Sequence, residues 1–210
     1  MFGKLTDLYI DWKEARKERK IVELTERASM LSQNKEHDLV LLYNEGFVNA
    51  RATGRSITEI ESEVQSFVRT VINVVVLPGT YFIADGNHQN MVVRRESSFK
   101  LYPMDNEKRT LQTSCINATL EIPREMNYFD GVRMTHPDLV RFLEKAEFKD
   151  PMTVQAGVWA ISDDFTAFDI KNRLSSVDDY GNYSQSISDD HIEEARGILD
   201  ELRIPHRLYN

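Results

Sequence analysis

Cys115 is the only cysteine in the 210-residue chain, so its thiol is the first group to consider for nucleophilic chemistry. It lies near the middle of a predicted strand, in the segment TSCINATLEIP. A cysteine-dependent hydrolase would need a histidine base and an orienting group beside that thiol. The alternative is a buried cysteine that packs as a small hydrophobic side chain. The histidines considered as the base are His88, His136, His191 and His206.

Gln155 offers Cys115 a different partner. The segments Cys115-Ile116-Asn117 and Val154-Gln155-Ala156-Gly157-Val158-Trp159 resemble the two short motifs of the thioester domains in Gram-positive surface adhesins. The resemblance implies an internal thioester, with its sulfur from Cys115 and its acyl carbon from Gln155, which a host amine attacks to give covalent attachment. It also implies supporting roles for Asn117 and for Trp159, which would pack the helix against the strand. Such a bond requires both side chains to meet in a dry site.

The segment around Gln155 also has a purely structural interpretation. QAGVWAI reads as a buried helix in which Ala156 and Gly157 allow close approach to a β-sandwich, while Trp159 fills the gap. The two interpretations predict the same helix and differ only in the state of the Cys115 thiol.

Paired acidic residues in the C-terminal half raise the question of a calcium site. They lack the alternating ligand spacing and the closing glutamate of an EF-hand loop, and helix caps and turns account for them better. We therefore expect no metal and no cofactor, and the isolated glycines do not indicate a phosphate-binding loop. The pairs are Asp163-Asp164, Asp178-Asp179 and Asp189-Asp190.

Charge limits the classes of partner. The chain has 26 Lys and Arg against 34 Asp and Glu, a formal net charge of −8. Such a surface repels phosphate backbones and anionic lipid headgroups, so we expect no nucleic-acid partner. No apolar run is long enough for a secretory signal or a membrane span, which predicts a cytoplasmic protein without membrane insertion.

The elements that must position these residues fall into three parts. Residues 1–36 form a predicted N-terminal helical segment, whose apolar stripe favours a protein partner or self-association. The stripe changes phase near residues 17–20, which indicates a kink, a stutter or two helices. Its members are Leu5, Leu8, Trp12 and Ala15, followed by Ile21, Leu24, Ala28 and Leu31.

Residues 37–123 are predicted to form an immunoglobulin-like antiparallel β-sandwich. Its central feature is the valine-rich run 71–77, closed by Pro78 and Gly79, which is typical of a strand buried on both faces. Segment 56–68 fits a strand or a helix, and we favour the strand. The other predicted strands are 38–44, 47–52, 81–84, 90–95, 98–102 and 109–122.

Residues 124–210 are predicted to form three helices packed on the sandwich, with caps at Thr135, Asp150 and Ser188. The fold class predicted is thus α+β, with an N-terminal helix and C-terminal helices around the sandwich.

A sandwich hosts many functions, so the fold alone does not select one. Without a specific catalytic signature, the leading hypothesis is a non-enzymatic binding or assembly module that uses exposed loops. Loop polar and aromatic side chains are typical contact residues. The alternatives are a thioester-forming domain and, third, a cysteine-dependent hydrolase, which differ in the surroundings of Cys115. The binding candidates are Asn87, Gln89, Tyr180 and Tyr183.

Overall fold

A computed structural model of the chain describes residues 2–121, 128–177 and 183–209. These residues form six helices and eleven strands. The helices are α1 (Phe2–Ser29), α2 (Leu39–Asn44), α3 (Pro137–Lys145), α4 (Pro151–Ser162), α5 (Ala167–Arg173) and α6 (Asp189–Leu202). The strands are β1 (His37–Asp38), β2 (Val48–Ser56), β3 (Glu59–Ser66), β4 (Ile72–Val76), β5 (Thr80–Ala84), β6 (Asn90–Val93), β7 (Ser97–Leu101), β8 (Asn106–Ile116), β9 (Tyr128–Met134), β10 (Ser175–Val177) and β11 (Tyr183–Gln185).

A closed barrel of six strands, in the order β2-β3-β8-β6-β5-β9, forms the centre of the molecule. The α+β class is confirmed, but the immunoglobulin-like sandwich is wrong. The strand that decides this is β9, which lies beyond the predicted domain boundary at residue 123 and pairs with both β2 and β5. Because β9 joins these two edges, the sheet closes on itself and does not split into two packed layers.

Buried and less buried residues alternate along the barrel strands, and the buried ones fill the interior. β2 and β3 bury every second residue, as expected for strands with one face toward a core. Small side chains at Ala50, Ala52 and Ser62 leave room for the fully buried rings of Phe82 and Phe129. Mixing small and large residues is how a small barrel packs its interior.

The valine-rich run forms a buried strand, as predicted, but lies outside the barrel. β4 is the middle strand of a separate three-stranded sheet, parallel to β1 and antiparallel to β7. Segment 56–68 contains strand β3, as favoured. Segment 38–44, predicted as a strand, is instead the short helix α2, because the Asp38 carboxylate caps it by accepting a hydrogen bond from the Val40 N–H at 2.9 Å.

The C-terminal helices include α4, whose residues 153–160 are all buried. Gly157 lies against α3, where an added Cβ would be 1.9 Å from Cζ of Phe142. The close approach expected of this glycine is therefore made to a helix and not to the sheet. The cap of α3 is His136 and not Thr135, while Asp150 and Ser188 cap α4 and α6 as predicted. α5 and the β10–β11 hairpin were not predicted.

The long helix α1 is continuous from Phe2 to Ser29, with no break at the change of phase near residue 17. Its C-terminal part packs on the domain through Leu24 and Ala28. Residues 12–20 are all exposed, including Trp12. Among the described helices, none combines the length and apolarity needed to cross a membrane.

Candidate functional site

The site is built on an edge of β8 that no strand among the described residues covers. On one side β8 pairs with β6 as far as Ile116, whereas on the other its pairing with β3 ends at Gln112. The Thr113 N–H still finds the Thr58 carbonyl, at 2.8 Å. The backbone groups of Cys115 lie beyond that point and are buried, so they need a partner from elsewhere.

Gln155 of α4 supplies that partner. Its Oε1 accepts a hydrogen bond from the Cys115 N–H at 2.8 Å, and its Nε2 donates to the Cys115 carbonyl at 2.8 Å. Both residues are fully buried. The side-chain amide of Gln155 thus makes the two backbone hydrogen bonds that a neighbouring strand would otherwise make with Cys115. The two residues named by the motif resemblance are in direct contact.

The thiol of Cys115 lies against β6 and the turn between β2 and β3. Its Sγ lies 3.3 Å from Sδ of Met91 and 3.6 Å from the carbonyl oxygen of Ile57. Met91 pairs directly with Cys115 across β6 and β8, so both side chains lie on the same face of the barrel wall. Burial raises the pKa of Cys115 to about 12, and the charge of Arg173 opposes this only in part. The thiol is therefore neutral near pH 7.

This environment does not suit a thiolate nucleophile. Reactive cysteines have a lowered pKa and partial exposure, while Cys115 has a raised pKa and no exposure. The candidate histidines have other partners. His88 lies near Glu121, His136 caps α3, His191 lies near Asp150 and Ser188, and His206 lies 3.1 Å from Asp200.

Asn117 shapes the chain directly after Cys115. Its φ of 65° lies in the left-handed region, which asparagine tolerates better than most residues. Its Oδ1 accepts a hydrogen bond from Nδ2 of Asn90 at 3.0 Å, and its carbonyl accepts one from the Leu120 N–H at 2.9 Å. Asn117 therefore turns the chain out of β8 immediately after the site.

Trp159 lies in α4, the helix that also carries Gln155. It is 1% exposed, and its ring lies tilted against Phe165 with 6.3 Å between centroids. A large ring in this position excludes water from the buried face of α4.

A contact between the end of α4 and the turn after β8 was missed by the sequence analysis. Asp163, at the end of α4, accepts a hydrogen bond from the Ala118 N–H at 2.8 Å. Gln155 and Asp163 are two helical turns apart, which places both on the same side of the helix. That spacing was available in the sequence, but nothing in it identified backbone groups of β8 and of the turn after it as the partners.

Of the four residues predicted to bind a partner through loops, the two whose side chains the structure describes differ in their exposure. Asn87 is exposed, whereas Gln89 is fully buried and its Nε2 donates to the Leu120 carbonyl at 2.8 Å. Gln89 therefore stabilises the loop and is not a surface contact. Tyr180 lies outside the described residues, and Tyr183 is described only through its backbone in β11.

Of the acidic pairs, Asp189 and Asp190 lie in the first turn of α6, where negative charge is favourable. Asp178 and Asp179 lie outside the described residues. Within the described ranges, no group of His, Cys, Asp and Glu side chains is arranged to hold a metal ion.

No family model, curated protein or solved structure matches this chain. Its function is therefore inferred from the chemistry of the site itself.

Proposed function

We propose that the chain is a non-enzymatic binding module whose attachment to a partner is covalent, through an internal thioester between Cys115 and Gln155. The observation that carries the proposal is the direct contact of the Gln155 carboxamide with Cys115, at 2.8 Å on both sides of the amide. A cysteine and a glutamine far apart in sequence meet in a fully buried position. The motif resemblance requires these two residues to be neighbours, and the amide of Gln155 lies on the backbone of Cys115.

The bond-forming step needs no outside reagent. Sγ of Cys115 adds to Cδ of Gln155, and the Cδ–Nε2 bond breaks. The thiol proton leaves with the amide nitrogen as ammonia, so the product is a thioester and free ammonia. A partner's amine later attacks Cδ, forms an amide and returns the thiol to Cys115.

Two features of the site support this step. The Cys115 N–H donates to Oε1 of Gln155, the atom on which negative charge develops when sulfur adds to Cδ. Both side chains are fully buried, so water has little access to hydrolyse the product.

The step also sets a requirement on Cys115. Because Sγ contacts Met91 and the Ile57 carbonyl, the side chain must rotate about χ1 to reach Cδ of Gln155. Staggered positions are the accessible ones for such a rotation. The contact with Met91 is therefore lost when the thioester forms.

The test is the intact mass of the freshly purified, unreduced protein under denaturing conditions. We expect the wild-type mass to be short by one ammonia. The deficit should be absent from Cys115→Ala and from Gln155→Ala, and methylamine treatment should replace it with a methylamide on residue 155. Asp163→Ala is the matched control, since it removes the contact between the end of α4 and the turn after β8 and leaves the reacting pair intact.

Two results would overturn the proposal. One is a full calculated mass together with an unmodified Gln155 in the peptide map. The other is an ammonia deficit that persists in Cys115→Ala. A glutamate at position 155 in wild type, but not in Cys115→Ala, would show that the thioester formed and was then hydrolysed.

A second candidate is assembly through α1, and a specific observation favours it. Residues 12–20 are exposed, and Trp12 retains 51% of its surface accessibility. Most helical stability in proteins comes from tertiary packing, so a partner that covers residues 12–20 would stabilise this part of the helix. We propose a second copy as that partner. Sedimentation should give a dimer for wild type and a monomer for Trp12→Glu, whereas a monomeric wild type would exclude it.

A further inference from the structure

A groove lies between α1 and the rim of the barrel, away from the Cys115 site. It encloses about 310 Å³, near the lower limit of ordinary small-molecule pockets. α1 forms one wall, and the chain before β2, the end of β3 and the turn before β8 form the rest. The lining residues are Lys17, Lys20, Ile21, Leu24, Gly46, Gln65, Phe67 and Met104.

Contacts with Arg69 hold the α1 wall in place. The Arg69 guanidinium pairs with the Glu18 carboxylate at 2.8 Å, and the Arg69 backbone N–H donates to Oγ1 of Thr25 at 3.0 Å. Leu24 and Ala28 are buried against the domain on the same helix. The groove therefore has two anchored walls, and a ligand need not order them on binding.

The basic and the apolar lining residues of α1 lie at different ends of the groove. Ile21 and Leu24 face the groove together with Phe67 and Met104, and these four provide an apolar floor. Lys17 and Lys20 lie one turn closer to the N-terminus on the same helical face. Of the acids on this part of α1, Glu18, next to Lys17, is engaged with Arg69. Two lysine side chains thus line one end of the groove, and apolar side chains line the other.

We propose that this groove binds a small amphipathic monocarboxylate, such as a medium-chain fatty acid, with its carboxylate at Lys17 and Lys20 and its alkyl chain on the apolar floor. The charge complementarity selects an anion even though the whole chain is acidic. The volume selects a short or medium chain and excludes a folded protein segment of any size. Anchoring of one anionic group by a few polar contacts above an apolar floor is typical of such sites.

The test is calorimetric titration of the full chain with octanoate, alongside octanol and butyrate. Octanoate should bind more tightly than either, because octanol lacks the charge and butyrate lacks the chain. The double variant K17Q/K20Q should weaken octanoate binding about tenfold, in line with two exposed ion pairs. K35Q/K100Q is the matched control, since it removes the same charge from exposed positions outside the groove.

Amide chemical shifts then locate the site. Octanoate should shift the resonances of Gly46 and Gln65, which line the groove, and leave that of Gln155 unchanged. No binding of octanoate, equal binding of octanol, or an undiminished affinity of K17Q/K20Q would each overturn the proposal. None of these readouts depends on the thioester, because neither Cys115 nor Gln155 lines the groove.

Discussion

Replacing Gly157 by alanine tests how closely α4 and α3 are packed. A methyl group on Gly157 would lie 1.9 Å from Cζ, 2.5 Å from Cε2 and 2.6 Å from Cε1 of Phe142. Phe142 is fully buried, so its ring has no free space to move into. The helices must separate, or the ring must adopt a strained position.

The expected free-energy change combines two opposing terms. Alanine favours a helix over glycine by about 1 kcal/mol. Overpacking a filled core costs about 1–3 kcal/mol, and three ring atoms within 2.6 Å place this site at the top of that range or above it. We therefore expect Gly157→Ala to lower the free energy of unfolding by about 2 kcal/mol or more.

Urea denaturation followed by circular dichroism measures this change. Gly197→Ala is the matched control, because Gly197 lies in α6 and an added Cβ there meets nothing within 4 Å. That variant should be more stable than wild type, by up to about 1 kcal/mol. In a Phe142→Leu background the smaller side chain should remove most of the cost of Gly157→Ala. If Gly157→Ala proves as stable as Gly197→Ala, the packing argument is refuted.

Three further predictions concern single positions. In chain carrying the free thiol, Gln155→Ala leaves the buried N–H and carbonyl of Cys115 without a partner, so it should lower the free energy of unfolding by about 2–4 kcal/mol in denaturant titrations. A loss below about 1 kcal/mol would contradict the role given to these two hydrogen bonds. The pKa of Cys115 is raised from 9.0 to about 12, so between these pH values the folded state retains a proton that the unfolded state loses. For chain carrying the free thiol, the free energy of unfolding should therefore fall by about 1.4 kcal/mol per pH unit between pH 9 and 12. Cys115→Ala should lack this pH-dependent loss of stability. Arg203 caps the C-terminus of α6 with a left-handed φ of 54°, a conformation that glycine adopts without strain. Arg203→Gly should therefore raise the melting temperature. A lower melting temperature would show that the arginine side chain contributes more than the backbone strain costs.

Much of the secondary structure could be predicted because it depends on local pattern. Alternating and β-branched residues indicated most of the strands, and capping residues located α4 and α6. The failures arise where a distant partner decides. β9 is a strand because it joins the edges of β2 and β5, and α2 is a helix because Asp38 caps a short apolar run that reads equally well as a strand.

The candidate site shows the same division. The motif resemblance pairs Cys115 with Gln155, and in the structure the Gln155 amide contacts the Cys115 backbone, while the thioester itself stays a prediction. The form of that contact was not predictable, because it depends on where the pairing of β3 with β8 ends. Gln89 was expected in a surface loop, yet it is buried, because its amide satisfies backbone carbonyls that only the folded loop brings together.

The bare edge of β8 has a consequence for how the chain is made on the ribosome. β8 is synthesised before β9, which closes the barrel, and before α4, which carries the glutamine that covers the edge. A nascent chain that ends before α4 therefore presents unpaired strand groups to the solvent, and such edges promote association with other chains. C-terminally truncated products should aggregate for this reason, even when they contain most of the barrel strands.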